Sequence, residues 1–309
     1  FVGANPPQGA LLTYYIADIP KTSAQQRKEK EEELSKQAVD IPFPGWDELK
    51  SESLEQKPQV LILITNEAGQ AMRWLEGNTS EGVHRINWDL RMSPPDPISL
   101  SKPSFLPPWA GSPQGPLVAP GVYKAHLYMV NNGNLTSQGE ERTFQVKPTP
   151  AVKSDINYEE LVAFTQATAD LSRRVGAAGN KLSEANNILR HIEAAILQTP
   201  DLNPEFFEQL KALKTQLTGL REDLYGDAIR RGKNEPNEPY VSGRVGYVVY
   251  GHWRTTQMPT QTQMRNVEWA TEQFEEFLQG FSAFTAVLSK MEKALEKAGA
   301  PYTPGRKIE

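Results

Sequence analysis

Residues 157–198 read NYEELVAFTQATADLSRRVGAAGNKLSEANNILRHIEAAILQ, a stretch that contains no proline. Its apolar side chains recur at alternating steps of three and four residues, which keeps one face of an α-helix apolar along its whole length. At 1.5 Å per residue such a helix is about 60 Å long. Because an apolar face of that length must be covered, the stretch predicts a bundle of long helices. The stripe consists of Leu161, Phe164, Thr168, Leu171, Val175, Ala178, Leu182, Ala185, Leu189, Ile192 and Ile196.

Two further stripes of the same kind follow. Pro200 ends the first helix and Pro204 begins the second, while Gly299 and Pro301 stop a third helix that is predicted over residues 262–297. Three such stripes can bury one another, so residues 151–309 are predicted to form an antiparallel three-helix bundle. The second stripe is Phe206, Leu210, Leu213, Leu217, Leu220 and Leu224, and the third is Phe274, Phe277, Phe281, Phe284, Leu288, Met291 and Leu295.

Residues 1–150 have a different composition, because they hold 17 of the 24 prolines. Proline blocks helix interiors, and short apolar runs bounded by turn residues are typical of strands. The chain is therefore predicted to be a segregated α+β protein, with an Ig-like antiparallel β-sandwich in residues 1–150 and the helical bundle in residues 151–309. The predicted strands are residues 10–19, 59–65, 71–75, 82–90, 121–130 and 142–146.

Two insertions interrupt the predicted strands. Residues 23–38 are almost wholly polar and predict a solvated helix, which we expect Phe43, Trp46 and Leu49 to hold against the sandwich. Residues 92–120 are rich in proline and include Phe105 and Trp109. We expect ordered, extended packing there, without regular secondary structure.

Composition excludes several classes of function. The net charge is −5 and neither half is basic, so a nucleic-acid partner is not expected. No run approaches the roughly 20 apolar residues that a membrane span requires. The absence of cysteine excludes disulfides, thiol nucleophiles and thiolate metal sites. The chain begins with Phe, from which we expect a piece of a longer polypeptide.

Catalytic motifs are absent from the sequence. The four histidines have no metal-ligand spacing, and there is no nucleophile elbow, dinucleotide turn or phosphate-binding loop. Gly243 to Gly251 form a glycine-containing run, but the Lys-Ser/Thr pair of a phosphate loop is missing. We therefore predict no catalytic, metal-ligating or cofactor-binding residue, no cofactor, and no enzyme activity for this fragment.

The connection between the second and third helices, residues 239–261, is the candidate functional segment. It is too long for a simple turn and combines aromatic side chains with arginine, which anchor interfaces or stack on sugars. The first interpretation is that these residues cap the bundle or dock the two domains; a partner surface and a ligand pocket are the alternatives. The candidates are Tyr240, Arg244, Tyr247, Tyr250, His252, Trp253 and Arg254.

Trp88 lies on a predicted strand with alternating polarity. A Trp in such a strand is usually a core residue, so we predict that Trp88 is buried. Its neighbour Asp89 is then expected to bond a turn or an arginine such as Arg91, and to have no catalytic role.

Parts of the first half resemble the Ig-like module that is also seen in the flagellar hook-capping protein. The resemblance is carried by residues 64–75 (ITNEAGQAMRWL), residues 82–90 (GVHRINWDL) and residues 120–123 (PGVY). The module has a strand and turn with Gly, a return strand, a strand ending in Trp-Asp, and a closing Pro-Gly-x-Tyr.

The whole chain resembles the C-terminal region of large bacterial proteins with sortilin-like, BNR-repeat β-propellers, which are often described as glycosyl-hydrolase-like. Residues 5–10 (NPPQGA), 250–254 (YGHWR) and 300–306 (APYTPGR) are similar to that tail. The resemblance implies a secreted or periplasmic protein with an N-terminal propeller that is absent here. It provides no catalytic residue, because a glycosidase-type site would lie in the propeller.

Together these observations predict a non-catalytic accessory and interaction region of a larger extracytoplasmic protein. Its expected partners are the N-terminal propeller of the same polypeptide and a protein or a glycan. The first alternative is a carbohydrate-binding module that uses the aromatics of residues 240–254 or Trp109. The second alternative is a part of a hydrolase whose active site lies in the missing propeller.

Overall fold

The computed structural model describes residue 3 and residues 8–101, 105, 107–108, 111–148 and 156–307. The protein is a mixed α and β structure with antiparallel sheets, and it divides into two compact units. The first unit comprises Phe1–Ser93 and Leu117–Asp155, and the second comprises Pro94–Pro116 and Ile156–Glu309. The predicted boundary at residue 150 lies outside the described residues.

The first unit contains two antiparallel sheets. Its helices and strands are β1 (Ala10–Ile16), α1 (Ser23–Lys36), α2 (Trp46–Leu54), β2 (Gln59–Asn66), β3 (Ala71–Gly77), β4 (Gly82–Trp88), β5 (Gly121–Asn131), β6 (Asn134–Ser137) and β7 (Arg142–Val146). β1 pairs with β4 in a two-stranded sheet. In the larger sheet the order is β3-β2-β5, and β6 and β7 both pair with the far edge of β5.

Trp88 is the centre of the core of this unit, which confirms the prediction that it is buried. Its ring is 0% exposed and makes edge contacts with Tyr123 of β5, at 5.3 Å, and Phe144 of β7, at 5.9 Å. Trp88 Nε1 donates a hydrogen bond to the carbonyl oxygen of Arg91, so its polar group is satisfied inside the core. The two sheets therefore share one apolar core.

The carboxylate of Asp89 accepts hydrogen bonds from both a turn and an arginine side chain. Its Oδ1 accepts hydrogen bonds from Nη1 of Arg73, at 2.8 Å, and from the backbone N–H of Arg91, at 3.2 Å. The carboxylate thus links β3 to the turn that follows β4.

The insertion between β1 and β2 differs from the prediction. Residues 46–54 form a second helix, α2, and the expectation that Phe43 and Trp46 hold the insertion against the sheets is wrong, because these side chains are 61% and 72% exposed. Instead, an ion pair joins the two helices: Nε and Nη2 of Arg27 donate to the two carboxylate oxygens of Glu52. A bidentate arginine–carboxylate pair fixes orientation as well as distance, so this pair links α1 to α2.

The proline-rich insertion forms no helix or strand in its described part, as predicted, apart from a bridge between Arg91 and Leu117. Phe105 is 72% exposed, so the expectation of a packed side chain at this position is wrong. Trp109 lies outside the described residues.

The second unit is built from helices of very different lengths: α3 (Tyr158–Ile196), α4 (Glu205–Tyr225), α5 (Ala228–Gly232), α6 (Val241–His252) and α7 (Gln261–Lys297). α3 has 39 residues and is therefore about 58 Å long. Asn157 caps its first turn by accepting a hydrogen bond from the N–H of Glu160.

Most of the three predicted stripes lies in one core. α7 contacts α3, α4 and α6, and most buried side chains of the long helices, from Leu171 onward in α3, form a single apolar cluster. Phe274, Phe277, Phe281 and Phe284 stack in sequence along α7, with ring centroids 5.7–6.0 Å apart. α6 was predicted as part of a connection, yet Val241 and Val245 belong to this cluster. Among the described residues, no helix is both long enough and apolar enough to cross a membrane.

Candidate functional site

The candidate segment folds largely as helix α6, whose residues have two distinct environments. Val241, Val245, Val248 and His252 are buried at spacings of four, three and four residues, as an amphipathic helix requires. Residues 247, 250 and 254 follow the same spacing on another side, and all three are exposed. The seven predicted site residues are therefore divided between the core and the surface.

His252 and Trp253 are core residues. Their side chains are 2% and 4% exposed, and the imidazole of His252 makes an edge contact with Phe164 of α3, at 5.0 Å between ring centroids. His252 Nε2 lies 3.1 Å from the carbonyl oxygen of Gln257. Because a carbonyl oxygen can only accept, Nε2 carries the proton of the neutral ring.

Burial lowers the pKa of His252 below its ordinary value, and the hydrogen bond to Gln257 offsets only part of that effect. His252 Nδ1 is buried and has no hydrogen-bond partner among the described residues. A neutral, enclosed imidazole of this kind serves packing, and it is not presented to a substrate.

Tyr247 and Tyr250 are the exposed members of the predicted set. Their side chains are 54% and 73% exposed, and the guanidinium of Arg254 lies 4.9 Å from the ring centroid of Tyr250. This distance is within the range of a cation–π contact, which favours one relative orientation of the two side chains.

Arg244 forms a second stack, on a residue that sequence reasoning missed. Its guanidinium lies 4.9 Å from the ring centroid of Trp269 of α7, which is 45% exposed. Nε of Arg244 donates to Oε1 of Gln273, at 3.0 Å, and Nη1 donates to Oδ1 of Asn266, at 3.2 Å. The only sequence signal for Trp269 was its position outside the apolar stripe of α7.

We name the following residues the α6–α7 aromatic face: Arg244, Tyr247 and Tyr250 of α6, Arg254 in the turn just after α6, and Trp269 of α7. Neither arginine of this face pairs with a carboxylate among the described residues. Their charges therefore remain available to a partner, while the rings present apolar surface to solvent.

Tyr240 lies apart from this face, beside a cavity of about 420 Å³. Its ring packs closely on Gly226 and Gly243: a Cβ at these positions would lie 2.5 Å and 2.9 Å from ring atoms of Tyr240. The absence of a side chain at both glycines thus leaves room for this ring. Gln273 also lines the cavity, and its Nε2 donates to the carbonyl oxygen of Pro239, at 3.3 Å.

The cavity is acidic. Asp223 is its most perturbed carboxyl group: burial raises its pKa, and the negative charge of Glu276 raises it further. No three His, Asp or Glu side chains of the described chain are arranged to hold a metal ion. Sequence reasoning missed this cavity, because its carboxylates come from distant positions. They belong to Glu222, Asp223, Asp227, Glu238 and Glu276, and Arg230 is the one basic residue in the lining.

Comparison with known proteins found no relative of this chain. No protein-family model matches it, no curated protein matches it, and no solved structure matches it.

Proposed function

We propose that this chain is a non-catalytic interaction region and that the α6–α7 aromatic face binds a protein partner. The observation that carries the proposal is the pair of arginine–aromatic stacks, Arg254 on Tyr250 and Arg244 on Trp269, in which both rings are exposed and Arg244 is half-buried. Tyrosine, tryptophan and arginine are the residues that dominate the binding energy of protein interfaces.

The order of this face supports binding. Association costs about 0.5–1.5 kcal/mol for each flexible side chain that it immobilises. Gln273 and Asn266 already fix the guanidinium of Arg244, and Tyr250 already stacks with Arg254. A partner would therefore immobilise less side-chain freedom here than on an ordinary surface of arginine and lysine.

The wider context is part of the same proposal. We infer that the first unit is an Ig-like β-sandwich and that the second is an antiparallel bundle around α3, α4 and α7. The shared core around Trp88 and the single apolar cluster of the long helices support these assignments. The resemblance to the C-terminal region of sortilin-like propeller proteins then supports an extracytoplasmic location, with the propeller of the same polypeptide as the first candidate partner.

Glycan binding is the second candidate function, because Tyr247 and Tyr250 are exposed rings of the kind that stack on sugars. Trp253 does not belong to that candidate site, since it is buried.

Site-specific photocrosslinking tests the proposal. A benzophenone amino acid is placed at Tyr250 of the complete polypeptide in its source organism, and at Thr285, an exposed position of α7, as the matched control. We expect a defined crosslink to a protein segment from position 250 and none from position 285. The double variant Tyr250→Ala/Arg254→Ala should weaken binding of the identified segment by roughly 10-fold or more while leaving the helical fold intact.

Two outcomes contradict the proposal. Equal crosslinking from both positions would indicate nonspecific contact. Binding to an array of glycans that is lost in Tyr250→Ala, without a protein crosslink from position 250, would favour the carbohydrate-binding function instead.

A further inference from the structure

The first unit has an edge strand without the usual protection against pairing. Among the described strands β1 pairs with β4 alone, so its other edge presents backbone N–H and C=O groups that no strand satisfies. Natural proteins block such edges with charged residues, proline or bulges. Ala10–Ile16 (ALLTYYI) contains no charge and no proline, and it pairs with β4 without a register shift.

A groove of about 460 Å³ runs along this edge. It is lined by five consecutive residues of β1, 11–15, and by three consecutive residues of β7, 142–144. Because successive side chains of a strand point to opposite faces, a cavity lined by consecutive residues lies beside the strand, not over one face. β7 pairs only with β5 among the described strands, so the groove lies between two unpaired edges.

The floor of the groove is apolar and its charge is balanced. Leu12, Ile62, Leu127 and Phe144 line it and pack against or belong to the core of the first unit. The charged side chains of the lining are one carboxylate, Glu140, and one guanidinium, Arg142. The net charge of the groove is therefore zero, which matches an uncharged occupant.

We propose that this groove binds a single extended strand of another polypeptide, uncharged and apolar at alternate positions, which pairs with β1. Unpaired backbone edges on both walls select a β-strand, and the apolar floor selects its inward side chains. A strand with two free edges can pair with both walls. The β1 strand of a second copy can satisfy only one wall, because β4 covers its other edge, so the groove favours a single separate strand.

The dimensions set the length of the occupant. Five residues of β1 at 3.3–3.4 Å each extend over about 17 Å, so the groove accepts a strand of about five residues. Inward side chains of that strand would lie on the floor, and outward ones would lie beside Leu11 and Tyr15, which are 55% and 65% exposed.

Hydrogen exchange with a synthetic strand tests this inference. The probe is a seven-residue peptide of alternating valine and threonine with blocked ends, added at about 1 mM, where a Kd of about 0.1 mM gives roughly 90% occupancy and hence about tenfold slower exchange. We expect NMR-detected exchange to slow at least tenfold at alternate residues of Ala10–Ile16, because the intervening amides already pair with β4. The same peptide with every backbone nitrogen methylated cannot donate to either wall and should have no effect.

Protein variants provide the matched comparison. Thr13→Lys introduces a charge in the middle of the edge strand and should reduce protection by the peptide at least tenfold, whereas Val83→Lys, at an exposed position of β4, should not. Circular dichroism checks that both variants fold. Equal protection by the methylated peptide, no protection by either peptide, or an unchanged response in Thr13→Lys would overturn the inference. Slower exchange of the β1 amides at a raised protein concentration, without added peptide, would also overturn it. The occupant would then be a second copy.

Discussion

Trp253→Ala should destabilise the helical unit strongly, while Tyr250→Ala, three residues away, should leave it almost unchanged. Both are large aromatic residues of the predicted site. The structure separates them, because Trp253 is 4% exposed and Tyr250 is 73% exposed.

The expected magnitudes follow from this difference in burial. Replacing a buried Trp by Ala costs about 3–5 kcal/mol, from lost transfer free energy and the cavity that remains. An exposed Tyr contributes far less, and loss of its contact with Arg254 costs about 0.5–1 kcal/mol. For a unit of about 180 residues, 1 kcal/mol corresponds to about 2–4 °C. Trp253→Ala should therefore lower the Tm by roughly 6–20 °C, and Tyr250→Ala by roughly 4 °C at most.

Thermal unfolding followed by circular dichroism at 222 nm measures both effects, since this signal is dominated by the helical unit. A shift below 2 °C for Trp253→Ala, or a larger shift for Tyr250→Ala than for Trp253→Ala, would refute the assignment of Trp253 to the core and of Tyr250 to the binding surface.

Two further predictions concern pH and backbone geometry. The folded protein holds the pKa of His252 below its ordinary value of about 6.5, so the unfolded state binds more protons in that range. Stability of the helical unit should therefore be full above pH 7 and fall as the pH drops from about 6.5 towards the lowered pKa. His252→Leu should flatten this dependence in urea titrations, and the exposed control His191→Leu should retain it. Gly9→Ala should lower the unfolding free energy of the first unit by about 1–3 kcal/mol, because φ is +134° and a Cβ there would collide with the carbonyl oxygen of Trp88. At Gly133 φ is also positive, but an added Cβ would meet no atom within 4 Å. If Gly133→Ala lowered the unfolding free energy as much as Gly9→Ala, as measured by tryptophan fluorescence, the predicted collision would be contradicted.

The long helices could be predicted from sequence, because their apolar stripes repeat over many turns. The third stripe predicted a helix over residues 262–297, and α7 spans Gln261–Lys297. The strand that contains Trp88 was equally predictable, since alternation over seven residues sets both the period and the buried side. These signals are local, and each is repeated many times within one element.

Short elements were harder to predict. β6 (Asn134–Ser137) has only four residues, all exposed, and it forms because β5 extends beyond β7 and leaves part of its edge free to pair. α2 was missed because it has only nine residues and none of them is buried, so no apolar stripe marks it as a helix.

The sequence by itself determined which residues of the candidate segment are aromatic or charged, and that long amphipathic helices precede and follow it. Only the tertiary structure decided that Trp253 is buried while Tyr250 is exposed, and that Trp269 lies beneath Arg244. The spacing of three and four residues indicates which side chains share a face of a helix, but the neighbouring helices determine which face is covered. The groove beside β1 was also decided by the tertiary structure, because the positions of the other strands determine which edge of a strand stays unpaired.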